Sequence, residues 1–436
     1  MRTMTSARRS SIGVGFLGCG TVGSSAARIL VDHASDLAQR AGAALEVRRI
    51  AVRDLSKQRP VSFADDVWTS KATDVTDADD IDIVVEAIGG MEPAQELVLR
   101  ALRNGKHVVT ANKELLSVRG KELMDVAERS DVDILFEAAV GGGIPIIRPL
   151  KESLAGDRVR RVMGIVNGTT NFILTRMSET GVDFGDALEE ATRLGYAEAD
   201  PSADIDGFDA ASKLAILASI AFNARVVASD VHREGIARVT AEDINAAHDL
   251  GYEVKLVAIA ERDGDDISAR VHPAMLPKTH PLASVRDVFN AIFVESEESG
   301  ELMFFGRGAG GAPTGSAVVG DIVEIARNIA LGGRSPAPAY YRELARIRSQ
   351  SENPVRYYAV LSVADQPGVL SAVAGAFAAH DVSISSVRQE GSGDEATLVV
   401  ITHVATEGQH QLTFDELGAL DAVKEVASKM RVEGTS

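Results

Sequence analysis

A glycine triplet set between a strand and a helix constrains the first third of this chain more than any other feature. Residues 14–17 form a short apolar strand, Gly18-Cys-Gly20-Thr21-Val22-Gly23 follows, and residues 24–39 show helical periodicity. In that setting Gly18 permits a tight turn, Gly20 lets the backbone approach a pyrophosphate, and Gly23 lets the helix sit close to the strand. Glycine triplets also occur in ordinary turns, so the surroundings carry the reading. Residues 45–52, 81–88, 106–110 and 134–139 read as further strands, with helices over 93–104 and 121–129. Strands alternating with helices pair in parallel through right-handed crossovers, which gives a doubly wound dinucleotide-binding (Rossmann) domain. Its expected extent is residues 1–138, completed by a returning helix near 316–332.

After Gly141-Gly-Gly143 the character changes. A strand at 159–167, helices over 171–180, 184–194 and 209–223, and strands at 253–261, 269–275, 290–294 and 301–305 predict a central α+β domain over 139–315. Residues 333–354, rich in glycine and proline at their start, read as a linker. Residues 355–436 repeat a β-α-β-β-α-β order, the ferredoxin-like arrangement. Three domains suit a chain of 436 residues. A formal charge of −18 argues against nucleic acid or an anionic membrane as partner, since both need a positive field. The single cysteine, Cys19, rules out an internal disulfide and fits a reducing cytoplasm. Apolar runs such as 214–222 fall short of the ~20 residues that span a bilayer. Exposed sheet edges in the later domains point to a homodimer or homotetramer.

Chemistry concentrates in Gly195-Tyr-Ala-Glu198-Ala-Asp200-Pro-Ser-Ala-Asp204-Ile-Asp206-Gly-Phe-Asp209-Ala-Ala-Ser-Lys213, which sets five carboxylates and a lysine at the mouth of an apolar helix. Asp209 and Lys213, four apart, share one helix face at about 5–6 Å between Cβ atoms. An acid cluster beside an ammonium suits a cationic substrate that also needs a proton; the bland alternative is a solvated i,i+4 pair. Lys113, in Thr110-Ala-Asn-Lys113, follows a strand at the carboxyl edge of the parallel sheet and is read as a loop residue beside the cofactor cleft. Arg53 and Lys57 at the second strand tip suit a 2′-phosphate, whereas Asp54 favours a ribose diol, so NADP or NAD stays open. Glu137, followed by the glycine run to Ile144, suits a hard cation with oxygen ligands or else a hinge.

Taken together, Gly18-x-Gly-Thr-Val-Gly23, Thr110-Ala-Asn-Lys113, Gly164-Ile-Val-Asn-Gly-Thr-Thr-Asn-Phe172, the 195–213 stretch and Gly308-Ala-Gly310 resemble homoserine dehydrogenase, in that family's order over residues 12 to about 330. The tail, with Asp365-Gln-Pro367-Gly368-Val369, is similar to the amino-acid-sensing ACT domain. The resemblance implies NAD(P)-dependent interconversion of L-homoserine and L-aspartate 4-semialdehyde in threonine and methionine biosynthesis. It implies Lys213 as proton donor and Lys113 as second catalytic lysine, with Glu198 and Asp209 holding substrate. Gly18, Gly20, Thr21, Val22, Gly23, Arg53, Lys57, Lys113, Gly195 and Gly310 would line the cofactor. Glu137, Val140, Gly142 and Ile144 would ring a sodium ion, mostly through main-chain oxygens. Asp365, Pro367, Gly368 and Val369 would form an effector turn, with threonine the expected effector; a domain used only for oligomer contacts is the alternative there. A non-catalytic amino-acid sensor on a vestigial dinucleotide fold is the competing reading, which the intact glycine fingerprint and both lysines oppose.

Overall fold

The computed structural model describes residues 10–335, 341, 345–391 and 396–434. They fall into two compact units, one drawn from Met1–Val162, Ser212–Asp230 and Phe289–Ala345, the other from Met163–Ala211, Val231–Val288 and Arg346–Ser436.

The first unit holds a six-stranded sheet in the order Trp68–Thr69, Ala44–Ala51, Ser11–Leu17, Ile83–Glu86, His107–Thr110, Ile134–Leu135. Every pairing is parallel. The chain reverses its direction of travel between Ser11–Leu17 and Ile83–Glu86, the switch point where doubly wound sheets bind ligands. Ile12, Val14 and Phe16 are wholly buried because helices cover both faces. Between them, Gly13 and Gly15 are dictated by close approach: a Cβ at Gly13 would lie 1.9 Å from the Asp80 carbonyl oxygen, and at Gly15 2.7 Å from Ile81 and Val75.

The helix expected over 24–39 is two helices, Thr21–Asp32 and Ala34–Ala41, broken at His33 and closed by Gly42 at φ 80°. The helix expected from 316 begins earlier, at Gly311, and runs to Leu331. Its first two turns contain Gly311 and Gly315 because a Cβ there would lie 2.7 Å from Ser25 Oγ and 2.9 Å from the Ala26 nitrogen, respectively. Farther along, Val318, Ile322, Ile325 and Ala326 join Ile12, Phe16, Ala27 and Leu30 in one core. Burial of each such large aliphatic group stabilises by roughly 1.5–3 kcal/mol.

In the second unit, Tyr252–Asp263 and Asp266–Pro277 form a long antiparallel hairpin. Helix Ala241–Asp249, which the periodicity did not reveal, buries only Ile244 and Ala247 and is set by a Thr240–Asp243 capping box. The C-terminal segment runs strand Pro354–Val363, helix Val369–Ala379, strands Ile384–Glu390 and Ala396–Thr402, helix Glu407–Ala419, and strand Val423–Val432. Its sheet order is last strand, first, third, second, all antiparallel, which is the ferredoxin-like topology. The second of its helices starts seven residues before the expected 414, because the Thr406 side chain caps it and accepts from the Gln409 nitrogen. The last strand also pairs in parallel with the hairpin through Ala274–Arg431 and Met275–Val432, joining the small sheet to the central one. Within the expected linker, Arg346–Ile347 pairs with Asp266–Ile267.

Candidate active site

At the switch point lies a cavity of about 490 Å³ lined by Gly18, Cys19, Gly20, Arg53, Lys57 and Arg59 among others. Gly18 sits at φ 98°, and a Cβ there would be 2.7 Å from the Ala87 carbonyl oxygen. A Cβ at Gly23 would be 2.5 Å from the Gly18 carbonyl oxygen, so this residue lets the helix dock on the turn. Gly20 has open space where its side chain would be, the clearance a pyrophosphate needs. Thr21 and Val22 begin the helix, which has no side-chain cap and no acid in its first turn, leaving its N-terminal field directed at an anion. The cradle fits a dinucleotide.

Arg53, Asp54 and Lys57 are exposed at the second strand tip. The Asp54 carboxylate turns into its own loop, accepting from Ser56 Oγ at 2.6 Å and the Ser56 nitrogen at 2.8 Å, and these donors hold its carboxyl below the usual range. Arg59 closes the loop by donating to the Lys57 and Asp54 carbonyls, both at 2.7 Å, while its guanidinium lies 5.4 Å from the centre of the Trp68 ring. The sequence reading missed Arg59; its place at the end of the basic run Arg53–Lys57 was the available signal.

Lys113 stands at the first position of helix Lys113–Arg129, not in a loop. The Asn112 side chain decides this, accepting from the Leu115 nitrogen at 3.1 Å and donating to the Gly90 carbonyl at 2.7 Å. Buried Glu86, also missed, shapes the neighbouring turn by accepting from Ile88, Gly89 and Thr110.

Residues 134–139 are strand only at Ile134–Leu135; Glu137–Ala139 is a 3-10 turn. The Glu137 carboxylate is engaged by the Ile146, Ile147 and Arg148 nitrogens at 2.6, 2.8 and 2.9 Å, so it caps a helical turn. Gly142, at φ 55°, lets the loop pass where a Cβ would be 2.4 Å from the Gly308 carbonyl oxygen. A cation at 137–144 would therefore draw on main-chain oxygens of Glu137, Val140, Gly142 and Ile144. Among the described residues no group of three or more His, Cys, Asp or Glu could hold a metal ion. Gly310, at φ 119°, precedes the helix that packs on the fingerprint helix.

Helix Phe208–Ala221 carries Asp209 and Lys213 one turn apart, both half-buried, ahead of a buried stretch from Leu214 that is apolar except for Ser219. Asn167 then does two things. Its Oδ1 caps helix Gly168–Thr180 by accepting from the Thr170 nitrogen at 2.9 Å. Its Nδ2 donates to Asp204 at 2.6 Å and Asp209 at 2.8 Å, tying two acids of the 195–213 stretch together. Asp204 lies in a short helix, Ser202–Ile205, and Thr169 anchors the Tyr196 carbonyl at 2.8 Å. Gly195, at φ 76°, and Glu198 are exposed. Neither Asn167 nor Asp204 was singled out from the sequence, although the Asn-Gly-Thr-Thr motif contains the first. In the C-terminal domain Asp365, Pro367 and Gly368 are exposed, Gln389 donates to Asp365 at 3.1 Å, and buried Val369 opens the helix.

Three family profiles cover the chain: "Homoserine dehydrogenase, NAD binding domain" over 18–137, "Homoserine dehydrogenase" over 145–323, and "ACT domain" over 357–422. The homoserine dehydrogenase of Corynebacterium glutamicum is 52% identical over 97% of this chain and 96% of its own length. That of Bacillus subtilis is 42% identical over 97% and 99%. The chain belongs to the homoserine dehydrogenase family.

A homoserine dehydrogenase structure from Thiobacillus denitrificans superposes with TM-score 0.92 at 41% identity, covering 97% of this chain and 98% of that one. A hyperthermophilic archaeal homoserine dehydrogenase in complex with NADPH matches with TM-score 0.64 at 31% identity, over 75% of this chain and 99% of the other. As a homoserine dehydrogenase the chain is a nicotinamide-dependent oxidoreductase interconverting L-homoserine and L-aspartate 4-semialdehyde, and it carries an ACT domain. The full-length match to named enzymes leaves the sensor reading without support. No helix among the described residues is long and apolar enough to cross a membrane.

Proposed function

We propose that Lys213 is the proton donor of this homoserine dehydrogenase, with Lys113 as second catalytic lysine and Glu198 and Asp209 as substrate ligands. The observation that carries this reading is Asp209 set one turn before Lys213 and tied through Asn167 to Asp204. When bound, the nicotinamide supplies or accepts the hydride at the carbon that is aldehyde in one direction and alcohol in the other. As the carbonyl carbon gains hydride its oxygen becomes an alkoxide. The Lys213 ammonium stabilises that charge and then gives it a proton; in the oxidative direction its neutral amine takes the hydroxyl proton. Glu198 and Asp209 hold the substrate's amino and hydroxyl groups. Lys213→Ala is expected to lower kcat by a factor on the order of 10² or more with the fold intact. Steady-state turnover beside a circular dichroism spectrum checks this, and near-normal turnover would remove the assignment.

Arg53, Lys57 and Arg59, with Asp54 turned into its loop, favour a 2′-phosphate, so NADP is the preferred cofactor; Gly195 and Gly310 complete the cofactor lining. Homoserine turnover with NADP against NAD reads that preference directly. Glu137, Val140, Gly142 and Ile144 would ring sodium, mostly through main-chain oxygens, with the Glu137 carboxylate fixing the loop. The ACT domain makes the enzyme responsive to an end-product amino acid, threonine first. The enzyme is cytoplasmic and a homodimer or homotetramer, consistent with the edge strands Gly300–Arg307 and Ile384–Glu390; light scattering of the purified chain gives the count.

A further inference from the structure

Glu86 is a wholly buried carboxylate at the end of strand Ile83–Glu86, on the edge of the parallel sheet where the cofactor cradle opens. A carboxylate out of water is tolerated only when its oxygens accept hydrogen bonds. Oε1 accepts from the Ile88 and Gly89 nitrogens at 2.8 and 2.9 Å. The chain can curl back over the carboxylate in this way because Gly89 and Gly90 stand at φ 77° and 71°. Oε2 accepts from Thr110 Oγ1 at 2.5 Å, on the neighbouring strand where Thr110 pairs with Glu86. Bonds to an ionised acceptor are roughly twice as strong as neutral ones, so these three set the local geometry.

The hydrogen bonds close into a ring. A hydroxyl has one proton, and Thr110 gives its own to Glu86, which as a carboxylate only accepts. The Thr110 oxygen is left to accept in turn, and does so from the Asn112 nitrogen at 3.0 Å. Asn112 Nδ2 donates to the Gly90 carbonyl at 2.7 Å, which returns to the turn that Glu86 holds. Asn112 Oδ1 accepts from the Leu115 nitrogen at 3.1 Å and so starts helix Lys113–Arg129, with Lys113 in first position.

Two functional parts hang on this ring. Ala87, Ile88 and Gly89 line the cofactor cavity on one side. Lys113 leaves the ring on the other, directly after Asn112. The polarity of the ring depends on the negative charge of Glu86. An amide at that position keeps the volume but fits in neither orientation. Its NH2 would meet two backbone donors in one, and would displace the Thr110 proton in the other.

We propose that Glu86 is a positioning residue for the reaction: acting through Thr110 and Asn112, it holds the start of the Lys113 helix in register with the cofactor wall at 87–89. The proposal rests on the reading of Lys113 as a catalytic lysine and adds the group that aims it. The test is a double-mutant cycle in the full-length enzyme, reading kcat for homoserine oxidation, the Kd for NADPH from its fluorescence, and the melting temperature of each variant. Glu86→Gln is expected to lower kcat roughly tenfold or more, because a small misplacement of a reacting group is costly. It is also expected to raise the Kd for NADPH, with or without the lysine, because the 87–89 wall shifts in both cases. In a Lys113→Ala background the same change is expected to lower kcat by less than about twofold, since the group being aimed is gone. A merely structural Glu86 would lower kcat equally in both backgrounds, and that result overturns the proposal. So does wild-type kcat or wild-type NADPH affinity in Glu86→Gln. Thr110→Val breaks the same ring without touching the carboxylate and is expected to repeat the pattern, with Thr110→Ser recovering most of the loss. That pair decides the matter should Glu86→Gln not fold. If Lys113→Ala turns over normally, the lysine reading falls and the proposal with it; a slow Lys113→Ala without coupling to position 86 removes the proposal alone.

Discussion

Lys255 has its side chain inside the second unit, where its ammonium donates to the Val285 carbonyl at 2.6 Å and to Asn171 Oδ1 at 3.2 Å. Desolvation lowers its pKa to about 8. Below that pH the amine is charged in both folded and unfolded chains, and the folded state bears the full cost of burying it. As pH rises from about 8 toward the ordinary 10.5, the folded form sheds its proton while the unfolded form keeps it, so stability increases. The gain is on the order of 3 kcal/mol across that window. Urea unfolding at pH 7.5 and pH 10 is expected to show this rise in the wild type and to lose it in Lys255→Met; an equal rise in both would assign it elsewhere. Nothing in the sequence marks Lys255 as inward-pointing. Its strand is apolar on both sides, and period-two alternation carries no information where both faces are buried. Lys213 stands out in the sequence for the opposite reason: the acids, the helix start and the lysine lie within one short stretch.

Arg270 lies within the hairpin strand Asp266–Pro277 and is 2% exposed. It donates to Glu261 on the partner strand at 2.7 Å and to Glu433, beyond the last strand of the chain, at 3.0 Å. His272 approaches the same Glu433 at 3.5 Å, with burial holding its pKa down. Removing one member of such a group strands the others without a counter-charge, so Arg270→Met is expected to destabilise by about 3–5 kcal/mol. Arg270→Met with Glu433→Leu is expected to recover a large part of that, because the stranded charge goes too. Denaturant midpoints of the single and double variants read the coupling; additive losses would mean the pair acts independently. Elements were legible where an apolar run was long, as in Tyr252–Asp263, or where strand and helix patterns alternated clearly, as in the β-α-β-β-α-β order of the tail. They were misjudged where a side-chain cap overrode propensity: Asn112 starts a helix at Lys113, Thr240 creates one at Ala241, and Thr406 extends one to Glu407.

At the scale of the molecule, the C-terminal domain is spliced into the central sheet through Val423–Val432 and Asp266–Pro277. Deletion of residues 355–436 removes a paired strand and leaves Arg270 without Glu433. The truncated chain is expected to unfold at a lower temperature than the intact enzyme, as scanning fluorimetry would show, and a loss of activity on truncation would not by itself measure regulation. An unchanged midpoint would mean the splice contributes little. The dinucleotide fold and the family were legible in the sequence, and the 195–213 stretch stood out there as the candidate site, because local periodicity and short motifs are properties of neighbours along the chain. Folding adds what no local signal carries: Asn167 joins Asp204 to Asp209, the Glu137 carboxylate caps the turn at Ile146–Arg148, and Arg431 meets Glu234. Those groups lie from 9 to 197 residues apart along the chain. What brings them together is strand pairing and burial, where a polar group without a partner costs free energy and so selects the one arrangement that supplies it.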